Sequence, residues 1–215
     1  MKGEAAADRG LAGTLLLCAL LAASFLAATA ALTEGFGAWT FEELRRARAA
    51  RGELAVPAGL ALRDERGQVL RPWPAEAAGP VRIVDFIYTR CPGVCRALGA
   101  EYQRMQALLD GPAMPELLSI SFDIEHDDRA ALAAHGALYR ADPARWRIAA
   151  PRTPAERDAL LRALGVIAIP DGRGGFVHNA ALHLIDGRGR LRAIYDYEAW
   201  PQALAHARAL AEVRR

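Results

Sequence analysis

The sequence predicts an α/β domain whose central sheet mixes parallel and antiparallel strands, preceded by an N-terminal transmembrane helix. Two observations carry this prediction. Strand-like segments alternate with helical patterns from about residue 56 and close with a hairpin and a helix, an order typical of α/β domains with a mixed sheet. Residues 11–32 form an uncharged apolar run, which as a helix is long enough to cross a hydrocarbon core of about 30 Å.

We interpret the apolar run at 11–32 as a membrane anchor, or an uncleaved signal, that leaves residues 1–10 in the cytoplasm. A cleaved signal peptide is the alternative, because residues 28–30 (Ala-Thr-Ala) form a small-residue cleavage site. The run is longer than the ~7 to 15 residues of a usual signal core. Basic residues flank the run on both sides and do not settle its orientation, since large folded domains cross largely regardless of such charges.

The chain is large enough to bury one good-sized hydrophobic core. Its 215 residues with 53% apolar composition predict a single soluble domain with appendages. We assign this domain to residues 56–215 and treat residues 33–55 as a linker or stalk, where Thr40 and Glu43 form a capping box that opens a short polar helix. The net charge is only +2 and the arginines are scattered, so nucleic acid is not an expected partner.

Residue patterns predict the elements of the soluble domain. Asp64 to Gly67 form the turn of a first hairpin. The run VRIVDFIY at 81–88 is a continuous strand, and apolar residues recur at helical spacing from 92 to 109. The later elements are, in order, a strand at 116–122, helices at 127–139 and 154–164, a hairpin of 181–185 with 190–195, and a helix at about 198–213.

Two cysteines, Cys91 and Cys95, directly follow the strand at 81–88 in the sequence YTRCPGVC. Pro92 suits the first position of the next helix, and a helix N-terminus lowers the pKa of a thiol and favours thiolate. Residues four apart on a helix have Cβ atoms about 5 to 6 Å apart, whereas a disulfide wants roughly 3.5 to 4.5 Å. The pair could close a disulfide only with local bending, and the wider spacing suits two sulfurs that bind one ion.

Three interpretations of the pair stay open on these residues: a structural disulfide, a thiol–disulfide reagent, or part of a metal site. A metal site needs a further ligand, and the chain has five histidines. His178 lies between a glycine-rich loop and a strand, so a flexible loop could swing its imidazole over the cysteine turn. His126 follows a strand end and could approach the cysteine turn, but its charged surroundings favour a solvated loop. His183 is the one histidine that could compete with His178 as a ligand, although strand alternation favours its placement on the sheet face. His135 and His206 fall in helices and are interpreted as surface or half-buried side chains.

Several motifs in one order give the chain a specific resemblance. They are YTRCPGVC at 88–95, SISFD at 119–123, RWRI at 145–148, and His178 five residues ahead of HLID with its GRGRL turn. On these motifs, the chain from about 56 to 213 resembles the SCO/SenC family of membrane-tethered thioredoxin-fold copper proteins. The resemblance implies a thioredoxin-like fold for the α/β domain.

The resemblance also implies that Cys91, Cys95 and His178 bind a single copper ion. Soft thiolates with one imidazole suit Cu(I), which accepts few ligands, and Cu(II) is the other oxidation state to expect. Zinc would want a fourth ligand. Asp123 or His126 could supply one, so residue types alone leave zinc open.

Two further residues are expected beside the metal without binding it. Asp123 matches the acidic residue of the family's SISFD motif, and two roles stay open for it: to orient His178 or tune the thiols, or to satisfy backbone N–H groups at the strand end. Tyr88 matches the motif tyrosine, and we expect it to pack beside the site.

The function implied by the resemblance is that of a metallochaperone rather than an enzyme. It would deliver Cu(I) to, or prepare, the dinuclear copper site of a respiratory cytochrome oxidase. The alternative is a thiol–disulfide oxidoreductase, in which Cys91 attacks and Cys95 resolves, so that copper-ligand cysteines of a client stay reduced.

Partners and location follow from this function. The expected partners are the copper-site subunit of the oxidase, a periplasmic copper donor or thiol reductant, and the membrane through the N-terminal helix. The expected location is a bacterial-type inner membrane, crossed once, with the soluble domain on the periplasmic side.

Two positions depart from the family's pattern. Gly93 stands where relatives usually have an acidic residue, and Arg96 stands where they usually have proline. Both changes make the surroundings of the cysteines more positive. The sequence therefore predicts thiol pKa values lower than in a typical relative and below the free-cysteine value of about 8.5.

Overall fold

The computed structural model describes residues 4–74, 76–111 and 114–212. Its helices are α1 (Glu4–Leu32), α2 (Phe41–Ala50), α3 (Val94–Ala107), α4 (Arg129–Leu138), α5 (Pro154–Leu164) and α6 (Trp200–Glu212). Its strands are β1 (Leu62–Asp64), β2 (Val69–Leu70), β3 (Arg82–Ile87), β4 (Glu116–Ser121), β5 (Trp146–Pro151), β6 (Ala168–Pro170), β7 (Phe176–His178), β8 (Leu182–Ile185) and β9 (Leu191–Tyr195). The chain divides into two units, Met1–Ala47 and Arg48–Arg215.

Helix α1 contains the apolar run that the sequence predicts as a membrane span. Residues Leu11–Leu32 are 22 residues long, have a mean hydropathy of 2.4 and are unburied. Leu16, for example, is 63% exposed. An exposed helix of this length and composition is suited to a hydrocarbon environment, so α1 could anchor the chain to a membrane.

The capping box predicted for α2 is confirmed. The Glu43 backbone N–H donates to Thr40 Oγ1 at 3.1 Å, and Glu43 Oε2 accepts from the Thr40 backbone N–H at 2.9 Å. These reciprocal bonds satisfy donors that a helix N-terminus otherwise leaves without partners. Helix α2 therefore begins where the sequence predicts.

The second unit is built on a seven-stranded sheet in the order β2-β1-β5-β4-β3-β8-β9. Strands β3, β4 and β5 are parallel, whereas β8 pairs antiparallel with β3 and β9 with β8. On the other side of the sheet, β1 pairs antiparallel with β5. The predicted mixed sheet is confirmed.

Burial is greatest in the strands at the middle of this sheet. All six residues of β3 are buried, as expected for a strand covered on both faces. Helix α6 contacts α3, β3 and β8, and helices α4 and α5 contact β5. From α3, the Tyr102 hydroxyl donates to the Ile83 carbonyl of β3 at 3.2 Å, which ties the helix that follows the cysteines to the strand that precedes them.

The structure differs from the sequence prediction in three places. Strand β5 was not predicted, because its sequence WRIAAP contains only one β-branched residue and pairing with β4 and β1 decides its conformation. The pair β6–β7 forms a separate two-stranded sheet where a loop was predicted. Helix α3 begins at Val94 rather than at Pro92, because Gly93 has φ −113° and ψ −108°, outside the helical region.

Candidate metal centre

The two cysteines lie where β3 ends and α3 begins. Cys91 is in the connecting loop, and its backbone N–H donates to the Tyr88 carbonyl at 3.1 Å. Cys95 is in the first turn of α3, and its backbone N–H donates to Cys91 Sγ at 3.4 Å. Both thiols are free, and Cys91 and Cys95 are only 8% and 2% exposed. Cys91 therefore precedes the helix, so the pair does not have the spacing of two residues on one helix face.

His178 approaches the cysteines from the two-stranded sheet. It ends β7 and pairs across that sheet with Ala168 of β6, so it lies on a strand rather than in the flexible loop that the sequence predicts. Its Nε2 atom is 3.7 Å from Cys95 Sγ. The potential ligand atoms of Cys91, Cys95 and His178 all lie within 4.8 Å of one another, so these three residues could hold a metal ion.

Aromatic rings position the His178 imidazole. Its ring centroid lies 5.2 Å from that of Phe122 and 6.1 Å from that of Tyr88. Phe176, two residues before it on β7, packs at 5.3 Å from Tyr88 and 5.2 Å from Phe122. The Tyr88 hydroxyl also accepts from the Phe176 backbone N–H at 3.3 Å. Tyr88 therefore packs against the imidazole and holds the strand that carries it.

The chemical state of His178 suits metal binding. Burial lowers the pKa of His178, which favours the neutral imidazole that serves as a metal ligand. Its Nδ1 atom is buried without a hydrogen-bond partner among the described residues. Two sulfurs and one nitrogen are the donors that soft, low-coordinate ions such as Cu(I) prefer.

The prediction of low thiol pKa values is wrong for Cys95. Burial raises the pKa of the Cys95 thiol well above its usual value, and the hydrogen bond with Cys91 and the negative charges of Cys91 and Asp85 add to the increase. The hydrogen bond from the Tyr88 backbone acts in the opposite direction without cancelling it. Desolvation thus outweighs the helix N-terminus and Arg96. Binding a metal must therefore displace a proton from Cys95.

A buried carboxylate holds the loop that carries Cys91, a feature the sequence analysis missed. Asp127, 1% exposed, accepts from the Thr89 backbone N–H at 2.8 Å and the Thr89 hydroxyl at 2.6 Å. It also accepts from the Ser121 hydroxyl at 2.5 Å. Asp127 therefore ties this loop to the end of β4. Its sequence context, DIEHDD, gave no signal that distinguishes it from its acidic neighbours.

Asp123 lies near the loop that carries Cys91, and its carboxylate binds Arg90 and His126. Its carboxylate accepts from Arg90 at 2.9 Å and pairs with His126 Nδ1 at 2.8 Å. The His126 side chain is 55% exposed. Neither Asp123 nor His126 belongs to the group formed by Cys91, Cys95 and His178 among the described residues.

The other three histidines do not belong to the group formed by Cys91, Cys95 and His178 among the described residues. His183 is fully buried on β8, with Nδ1 3.3 Å from the Val84 carbonyl and its ring 5.2 Å from Phe86. His206 Nδ1 is 2.7 Å from the Tyr195 hydroxyl. His135 was predicted to be at the surface or half-buried, but it is buried at 7% exposure because α4 packs against β5, and it lines a cavity beside the cysteines.

The fold and the three donors define a class: a thioredoxin-like domain with a candidate site for a soft metal. Comparison with known proteins narrows this class. The model of the family SCO1/SenC matches residues 56–212. The chain therefore belongs to the SCO1/SenC family. No curated protein matches the chain by sequence.

Solved structures share the fold. A SCO1/SenC family lipoprotein from Bacillus anthracis is similar with a TM-score of 0.62 and 19% identity, over 74% of this chain and 95% of that one. Bradyrhizobium japonicum ScoI with copper bound has a TM-score of 0.59 and 23% identity, over 73% of this chain and 99% of that one. BsSco is described with a disulfide switch and as a member of the Sco family of cytochrome c oxidase assembly proteins. It has a TM-score of 0.60 and 20% identity, over 73% of this chain and 95% of that one.

Proposed function

We propose that this protein is a copper metallochaperone that binds Cu(I) through Cys91, Cys95 and His178. The observation that carries the proposal is the placement of these three donors within 4.8 Å of one another in a member of the SCO1/SenC family. Copper bound to the related ScoI of Bradyrhizobium japonicum supports it. Copper is the cargo, so the site must release the ion as well as bind it.

The choice of metal follows from the donor set. Two thiolates and one imidazole satisfy Cu(I), whereas zinc wants four ligands in a structural site. The two residues that could have completed a zinc site, Asp123 and His126, pair with one another at 2.8 Å. This pairing favours copper.

The proposed recipient is the dinuclear copper site of a respiratory cytochrome oxidase. The description of the similar BsSco as belonging to a family of cytochrome c oxidase assembly proteins supports this recipient. Transfer proceeds by ligand exchange, in which the thiolates of the recipient replace Cys91 and Cys95 one at a time. Helix α1 keeps the domain at the membrane, and we propose that the domain lies on the periplasmic side of a bacterial inner membrane, where a copper donor can reach it.

Oxidase assembly in cells tests the proposal. A strain that lacks this chain is complemented with the wild type, Cys91→Ser, His178→Ala or the control His126→Ala, and oxidase activity per membrane protein is measured. We expect both site variants to lose assembly and the control to retain it. Full assembly with His178→Ala would contradict copper transfer through a three-donor site.

A thiol–disulfide oxidoreductase is the second candidate function. The contact between the Cys95 N–H and Cys91 Sγ at 3.4 Å favours it, because the two residues are close enough to exchange between dithiol and disulfide. In this function, Cys91 attacks a client disulfide and Cys95 resolves the mixed disulfide. Retention of assembly by His178→Ala together with its loss in Cys91→Ser would favour this candidate, since thiol exchange does not need the imidazole.

A further inference from the structure

A cavity of about 240 Å³ opens beside the two cysteines. It is lined by residues 89–92, Cys95, Arg96, His135, Leu138 and Tyr139, and we call it the arginine cavity. Both cysteines line it, whereas His178 does not. The cavity therefore gives access to the thiol pair from a side that the imidazole leaves open.

Charge in the arginine cavity has one sign. Arg90 and Arg96 are among the residues that line it, and no acidic residue is among the described residues of the lining. Arg90 is partly neutralised by its ion pair with Asp123 at 2.9 Å. The backbone N–H of Arg96 donates to the Gly93 carbonyl at 2.9 Å, whereas its guanidinium makes no hydrogen bond or ion pair with any residue that the structure describes. An exposed arginine beside a cavity, with no carboxylate partner, favours an anionic ligand.

Gly93 contributes to the same field, because it places no side chain between the cysteines. A Cβ atom added at Gly93 would meet nothing within 4 Å, so a larger side chain fits there. Because Gly93 lies between Cys91 and Cys95 in the chain, an acidic side chain at this position would add a negative charge near the thiols. Its absence keeps the approach positive.

We propose that the arginine cavity binds a small thiol that also carries a carboxylate, and that this thiol reduces the oxidised form of the Cys91–Cys95 pair. The carboxylate pairs with Arg96 while the sulfur approaches Cys91, which is the more exposed cysteine, at 8% against 2% for Cys95. A cavity of about 240 Å³ suits a small molecule, since it lies below the roughly 300 to 1,000 Å³ of drug-sized ligand sites. The inference rests on the proposed function, because only the dithiol form can load Cu(I).

The reduction proceeds in two exchange steps. The ligand thiolate attacks Cys91 Sγ, the Cys91–Cys95 bond breaks, and Cys95 leaves as a thiolate that takes a proton from solvent. A second ligand thiolate attacks the ligand sulfur of the mixed disulfide, and Cys91 leaves as a thiolate. The protein disulfide gains two electrons, and the two ligand thiols become one small-molecule disulfide.

The test compares an anionic with a neutral thiol. The full-length protein in detergent is first oxidised to the disulfide and then reduced with mercaptoacetate or with 2-mercaptoethanol. The measured quantity is the rate constant with mercaptoacetate divided by the rate constant with 2-mercaptoethanol. Comparing this ratio between wild type and variants cancels the intrinsic reactivity of each reagent and any change in the reactivity of the cysteines. We expect Arg96→Gln to lower the ratio about threefold, the effect of one exposed ion pair, and high salt to lower it in the wild type.

Matched variants separate charge from structure. Gly93→Asp should lower the ratio, whereas Gly93→Asn, which has almost the same shape, should not. Arg104→Gln is the control for the loss of a positive charge from α3 outside the cavity. Arg104 pairs with Glu101 at 3.0 Å, so we expect this substitution to leave the ratio unchanged. Equal ratios in wild type and Arg96→Gln, or equal losses in Gly93→Asp and Gly93→Asn, would overturn the inference.

Two further outcomes bear on the proposal. If an acidic cysteine-containing peptide reduces the protein faster than a neutral thiol does, but mercaptoacetate does not, the small-thiol ligand would be overturned. The inference would also be overturned if the oxidant diamide left Cys91 and Cys95 reduced. Cu(I) binding to the reduced wild-type protein is measured in the same preparation. If the ratio is unaffected by Arg96→Gln while Cu(I) binds, only this inference fails; if reduced wild type binds no Cu(I), the proposed function fails.

Discussion

The cysteines and His178 belong to regions of very different construction. The cysteines follow β3, all six residues of which are buried in the middle of a seven-stranded sheet. His178 ends a three-residue strand of a separate two-stranded sheet, where the neighbouring Val177 is 67% exposed. The thiol pair is therefore fixed by the core, whereas the imidazole is positioned by its contacts with a few aromatic rings.

This difference suits the proposed function, in which the site releases its ion to a recipient. The backbone of β7 pairs only with β6, and His178 is held mainly through Tyr88, Phe122 and Phe176. A ligand on a small sheet can move at lower cost than two ligands bound to the core. We therefore expect the thiol region to control stability and most of the affinity, and the His178 region to control the third bond to copper.

The largest effect on the free energy of unfolding is expected from Asp85, the acidic residue within β3. Asp85 is buried, and its Oδ1 has no hydrogen-bond partner among the described residues. Burial raises the pKa of its carboxyl from 3.8 to about 7, although hydrogen bonds with Ser119 and Tyr102 act in the opposite direction. The folded state therefore binds this proton more tightly than the unfolded state. Its contribution to stability is fully present below about pH 4 and is lost as the pH rises to about 7.

Urea unfolding at pH 5 and pH 8 measures this effect. The wild type should lose about 2–3 kcal/mol of unfolding free energy over that range relative to Asp85→Asn, which cannot ionise. The comparison between the two proteins removes the contribution of all other titrating groups. Parallel pH profiles of wild type and Asp85→Asn would show that the buried carboxyl does not control stability.

A loss of Cu(I) affinity by more than about 100-fold is expected for Cys95→Ser. Changes outside a metal's ligand set already cost 10–100-fold, and a serine oxygen is a poor donor for a soft ion. Competition with a chromophoric Cu(I) chelator measures the affinity. Cys18→Ser, in the N-terminal helix, is the matched control and should bind like the wild type; a Cys95→Ser affinity within threefold of wild type would contradict the site.

Thr89→Val tests how the loop before Cys91 is held. The substitution keeps the shape of the side chain but removes the 2.6 Å hydrogen bond to buried Asp127. We expect the unfolding free energy in urea to fall by about 1–2 kcal/mol, because a buried acceptor loses a partner. Thr89→Ser retains the hydroxyl, so its unfolding free energy should be close to that of the wild type. If Thr89→Ser were as unstable as Thr89→Val, the role of Thr89 would be steric and the hydrogen bond would not hold the loop.

The smallest effect is expected on the outer face of the two-stranded sheet. Val177→Thr alters a side chain that is 67% exposed and should change the unfolding free energy by less than about 0.5 kcal/mol. Cu(I) affinity should also be unchanged, because Val177 alternates with Phe176 and His178 and faces the opposite side. A loss of more than tenfold in affinity would show that the outer face is part of the site.

The same two regions differ in how far the sequence predicts them. The run VRIVDFIY predicts β3, and the motif around Cys91 and Cys95 locates the thiols, because a buried strand leaves a long apolar signal. Strands β6 and β7 have three residues each, too few for a pattern, so His178 was predicted as a candidate ligand but on a loop. A contact between short strands is decided by packing, which a local pattern does not contain.

Electrostatics around the thiols was the least predictable property. From the sequence, a helix N-terminus and Arg96 predict a low thiol pKa, but the structure buries Cys95 to 2% exposure and desolvation raises its pKa instead. The position of Asp85 within an apolar strand was a visible signal of a buried acid. The role of Asp127 had no such signal, since its partner Thr89 lies 38 residues away in the chain.

Copper K-edge X-ray absorption of the reduced, Cu(I)-loaded protein tests the central claim most directly. For the wild type, we predict scattering from the two sulfurs of Cys91 and Cys95 and one nitrogen of His178. In His178→Ala, the nitrogen contribution should disappear while the two sulfur contributions remain, because the core holds the thiols independently of β7. A spectrum of His178→Ala identical to that of the wild type would contradict the three-donor site.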